Sequence, residues 1–120
     1  SISSTIIESN IDSKHLLQHK NRLAAAIKNS ATQIAQLYDK DVMDCKQALI
    51  RSYATLLGLW QVSHPSKEIV RVLQNPNLQF LKPEFSVEAS IMLQQIWQSF
   101  FEQPKKEKSG VWGNLFGSKK

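Results

Sequence analysis

The stretch DSKHLLQHKNRLAAAIKNSATQIAQLY, residues 12–38, decides the fold class. Leu16, Leu23, Ile27, Ile34 and Tyr38, flanked by Leu17, Ala24, Ala31 and Ala35, recur at three- and four-residue intervals and so share one broad helical face. Asp12 suits the N-cap, where a carboxylate accepts a backbone N–H of the first turn. Ile11 and Leu16 stand at the two positions of a hydrophobic staple, while His15 takes the place of a capping-box Glu or Gln.

Outward from this helix, a second is expected from Asp39 or Asp41 to about Trp60. Its apolar stripe runs through Val42, Cys45, Leu49, Tyr53, Leu56 and Trp60, widened by Ile50 and Leu57, and the short link makes the two helices antiparallel neighbours. Gly58 either ends this helix early or admits a close neighbour. Ser63-His64-Pro65-Ser66 starts a short helix carrying Ile69, Val70, Val72 and Leu73, and Asn75-Pro76-Asn77 stops it. From Leu78 to Phe85 the chain reads as an irregular or single-turn connector pinned by Phe80, Leu81 and Phe85. A last helix follows from Ser86 or Val87 to Glu102. Its Ile91, Met92, Leu93, Ile96, Trp97, Phe100 and Phe101 cover more than one face, which makes it either the central helix or half of an interface, such as a homodimer.

The predicted architecture is therefore all-α: a small antiparallel bundle of four helices, one of them short, over residues 12–102. An arm, 1–11, precedes it, and a flexible basic tail, 103–120, follows. The chain is long enough for one core without metal or disulfide staples. Cys45 is the only cysteine, so no internal disulfide forms and a reducing cytoplasm is expected. The opening SISSTIIESN lacks the basic region and apolar run of a secretory leader, and no stretch is apolar enough for a transmembrane segment.

The tail, QPKKEKSGVWGNLFGSKK, holds Lys105, Lys106, Lys108, Lys119 and Lys120 against Glu107 alone, leaving +1 of the chain's +5 for everything before it. Its lysines and glycines lose more entropy on ordering than their small apolar surface returns. Val111, Trp112, Leu115 and Phe116 would nonetheless fall on one side of a single helical turn. That pattern reads as a docking peptide, steered by the lysines toward another protein with an acidic or apolar groove. The plainer alternative has Trp112 and Phe116 fold back on their own bundle. Peripheral membrane contact is the weaker reading, because four apolar residues among glycines make a poor interfacial helix.

A second constellation is Lys14, His15, His19, Lys20, Arg22 and Lys28, with no acidic residue from Ser13 to Tyr38. Cations near a helix start oppose its dipole, a cost that a phosphate or nucleic acid would relieve. The plainer alternative is a solvated face paired with Asp39, Asp41, Asp44 or Glu88. His15 and His19 have metal-ligand spacing with Asp12 nearby, but the surrounding cations oppose a metal ion and none is expected. No phosphate loop, paired-Cys zinc pattern or nucleophile elbow occurs, so no catalytic residue, cofactor or enzymatic role is expected. Cys45 reads as a buried structural thiol and His64 as a helix-start residue. The function expected from these features is a non-enzymatic protein-interaction module of adaptor, chaperone or small-inhibitor type. Nucleic-acid binding through the first helix and the tail is the alternative.

Overall fold

The computed structural model describes residues 12–104. They form α1 (Ser13–Tyr38), α2 (Val42–Ser63), α3 (Lys67–Val72), a 3-10 helix (Pro76–Leu81) and α4 (Phe85–Glu102), with no strand among the described residues. The all-α expectation holds, with four α-helices, one of them short.

Short polar side chains mark most helix starts, because the first N–H groups of a helix lack backbone partners. Asp12 accepts from the Lys14 N–H at 3.1 Å, Asp41 from Asp44 at 3.2 Å, Ser66 from Ile69 at 3.4 Å and Asn75 from Asn77 at 3.0 Å. Such caps each contribute about 1 kcal/mol. Asp39 ends α1 in the left-handed region at φ 53°, and its N–H and that of Lys40 both return to the Ala35 carbonyl, which folds the chain sharply into α2.

Two contacts orient the bundle. Trp97, late in α4, donates its indole N–H to Ser52 at 2.9 Å, and Phe85, at the start of α4, meets Trp60 near the end of α2 with ring centres 5.2 Å apart. Helix α2 is thus antiparallel to α4 as well as to α1, and packs against both. The central helix is α2, not the last helix. Its small buried residues explain this: Cys45, Ala48 and Ser52 lie at three- and four-residue steps and let two neighbours approach closely. The core gathers Ala31 from α1, Cys45 and Ala48 from α2 and Phe100 from α4, with Ile34, Ala35, Leu49 and Trp97 packed against it.

Several sequence expectations change. The buried line of α2 passes through Cys45, Ala48, Ser52, Leu59 and Ser63, while Val42, Tyr53 and Trp60 are exposed. Flanking helices take two sides of α2, so its buried face is set by small residues instead of the largest apolar ones. Gly58 neither ends α2 nor receives a neighbour, since a Cβ there meets nothing within 4 Å. Phe80 is 81% exposed and Leu81 is exposed too, so they do not pin their connector, whereas Phe85 does pack, as the first residue of α4. The expected staple partner Ile11 lies outside the described residues.

Eighteen large hydrophobic residues are exposed among the described residues, against six hydrophobic residues that are buried. The radius of gyration, 19.5 Å, far exceeds the roughly 13 Å of a compact hundred-residue domain. A large apolar surface thus remains uncovered by the described helices. No described helix is long and apolar enough to cross a membrane.

Candidate functional site

Two stripes of side chains face one another where α2 and α4 pack. On α2, Asp44, Gln47 and Arg51 follow three- and four-residue steps; on α4, Ile96, Ser99, Phe100 and Gln103 do the same. Because the helices are antiparallel, these stripes and Pro104 enclose an open groove of about 590 Å³. That falls within the ~300–1,000 Å³ typical of small-molecule sites. Ile96 and Phe100 give its lining an apolar part, and the other lining side chains bring amide, hydroxyl, carboxylate and guanidinium groups.

The walls are held by polar bonds behind and below the groove. Ser52 donates its hydroxyl to the Ala48 carbonyl at 2.9 Å and accepts the Trp97 indole N–H, which fixes the register of α4 on α2. Lys40 reaches from the α1–α2 corner to the end of α4. Its ammonium donates to the carbonyls of Phe100 and Phe101, both at 3.2 Å, and of Gln103, and lies 5.3 Å from the centre of the Phe100 ring. Terminal helix carbonyls lack backbone donors and carry partial negative charge, so a cation here both caps α4 and anchors it. Lys40 had no assigned role in the sequence reading, because its partners are backbone atoms sixty residues away.

Cys45 lies immediately behind this region and is fully buried. Burial pushes its thiol pKa up, the Asp44 and Asp41 carboxylates push it further, and Lys40 opposes them. A thiol so held stays protonated and unreactive, in keeping with a structural residue. At the other end of α2, His64 stacks on Trp60 with ring centres 3.6 Å apart and directs Nδ1 to the Trp60 carbonyl at 3.0 Å, with Phe85 edge-on to Trp60.

The basic residues singled out on α1, namely Lys14, His15, His19, Lys20, Arg22 and Lys28, are all exposed, the first five on the half of the helix remote from the core and Lys28 one turn before the buried Ala31. His15 approaches Asp12 at 3.6 Å, across exposed side chains where such a pair contributes little. No metal-binding group of three or more His, Cys, Asp or Glu occurs among the described residues. Val111, Trp112, Leu115, Phe116 and Lys105, Lys106, Lys108, Lys119 and Lys120 lie outside the described residues. Arg51, Gln47, Ser99 and Gln103 were missed, since each reads alone as an ordinary exposed polar residue.

Comparison with known proteins overturns the expected function. A family model described as "Tetracyclin repressor-like, C-terminal domain" matches residues 1–98. No curated protein and no solved structure matches the chain. The matched domain comes from transcriptional regulators that bind DNA through their N-terminal domain and ligands through this one. An adaptor, chaperone or inhibitor role with a docking tail is thereby corrected. So is nucleic-acid binding through α1 and the tail, because DNA contact in such regulators belongs to the other domain. A regulatory domain of this kind is generally non-enzymatic. With its helical bundle and a match spanning most of its length, the chain belongs to the tetracyclin repressor-like C-terminal domain family.

Proposed function

We propose that this chain is the ligand-sensing and self-associating part of a cytoplasmic transcriptional regulator, with no catalytic step of its own. The family match over residues 1–98 carries this reading. Sensing falls to the bundle, because regulators of this kind take their ligands in the matched domain. We also divide the chain into an arm at 1–11, the bundle at 12–102 and a tail at 103–120.

Domains of this family often form homodimers. The uncovered apolar surface supports a second copy of this chain as its cover. Met43, Ile50 and Leu57 recur every seven residues along the outer side of α2, and Val87, Ile91 and Phe101 are exposed along α4. Sedimentation equilibrium on the 120-residue chain is expected to give a dimer. Ile50→Lys and Ile91→Lys, each placing a charge on one helix only, identify which face forms the seam. A chain that stays monomeric at every accessible concentration removes self-association from the proposal. A ligand that raises the melting temperature of this domain yet leaves operator binding of the whole regulator unchanged would remove sensing.

A further inference from the structure

We propose that the groove between α2 and α4 binds a small carboxylate with an apolar body, its carboxylate on Arg51. This rests on the ligand-sensing reading above and names the ligand chemistry.

Arg51 is exposed at one end of the groove and makes no ion pair or hydrogen bond among the described residues. A guanidinium presents paired donors that fit a carboxylate in a fork, so it selects an anionic, planar head group. Gln47 and Ser99 line the same groove and offer further hydrogen bonds. Ile96 and Phe100 supply apolar lining for the ligand's body. Asp44 lies seven residues before Arg51 on α2, about 10 Å along the helix axis.

The helix framework of the site is preformed. The Trp97–Ser52 hydrogen bond and the Lys40 clamp fix α4 against α2, so the ordering cost of binding falls on the Arg51 side chain and not on the helices. The apolar stripe of Met43, Ile50 and Leu57 is displaced from the Asp44, Gln47 and Arg51 stripe by about a quarter turn of α2.

The test uses three straight-chain probes of eight carbons each: octanoate, octylammonium and 1-octanol. Amide and side-chain NMR shifts of the full chain are followed during titration. Octanoate is expected to give saturable shifts at Arg51, Ser99 and Gln103, and octylammonium and octanol to bind about tenfold more weakly or not at all. Arg51→Gln should weaken octanoate by about tenfold or more while leaving the melting temperature unchanged, and Arg51→Lys should lose part of it. Ser99→Trp, which fills the groove, should abolish the shifts. The proposal is overturned if octanoate and octanol bind alike, if Arg51→Gln binds as the unaltered chain does, or if these amides respond to protein dilution in place of ligand. Absence of octanoate binding in a dimeric chain refutes the groove assignment alone. A monomeric chain that binds octanoate as described refutes only self-association.

Discussion

The two ends of the bundle are built differently. At one end, the last turns of α1, the first of α2 and the last of α4 converge, and Ala31 and Cys45 lose all contact with solvent. At the other, Leu59, Ser63 and Ala89 are buried, but the first half of α1 holds no buried residue, and Trp60, Ile69, Val72 and Phe80 remain exposed, in the last case to 81%. The difference teaches that cohesion and apolar content are separate quantities here. The packed end relies on small residues and a few polar bonds, while the richest apolar surface lies where the chain has nothing of its own to cover it.

The strongest way to break this comparison is to remove one aromatic ring from each end. Phe100→Ala should cost about 3–5 kcal/mol in urea unfolding, whereas Phe80→Ala should stay within about 0.5 kcal/mol. Equal effects would mean that the two ends cohere equally. Next in size, Lys40→Met should cost about 1–2 kcal/mol, since it leaves the last carbonyls of α4 without their cation. Hydrogen exchange should show the loss concentrated in the final turn of α4. Trp97→Phe keeps most of the ring packing but deletes the bond to Ser52, for about 1 kcal/mol. Its signature is a changed Ser52 environment with α1 unaffected.

The smallest effect is a pH dependence of the packed end. The Cys45 thiol has a pKa raised above the ordinary value of 9.0, chiefly by burial, so the folded state holds its proton more tightly than the unfolded chain does. Its contribution is fully present below the unfolded pKa and is lost as pH rises through the folded one. Urea midpoints compared at about pH 8 and about pH 10 should therefore fall further for the unaltered chain than for Cys45→Ala. Identical slopes would detach this thiol from alkaline unfolding.

Much of the local structure was legible in the sequence, because local rules wrote it. Asp12 and Asp41 cap where their carboxylates and the following periodicity place them, and the short α3 begins just after Pro65 and Ser66. The orientation of α2 was not legible from its large residues. Its role between two neighbours is set by Ala48 and Ser52, whose importance lies in what they allow to approach, a property no single-helix periodicity reveals. The groove was hidden for a related reason. Arg51 and Ser99 become one site only through the register of α4 on α2, which depends on a bond between residues forty-five positions apart.

One consequence follows from the Lys40 clamp. An ammonium has three hydrogens, and three carbonyls receive them, so its donor capacity is fully spent. An arginine in its place would bring a flat fork in which no such converging tripod exists, and an acetylated lysine would keep a single N–H. The corner between the first two helices and the exit of the last one are thus joined by stoichiometry, and even a charge-preserving replacement at this position forfeits the three-way convergence.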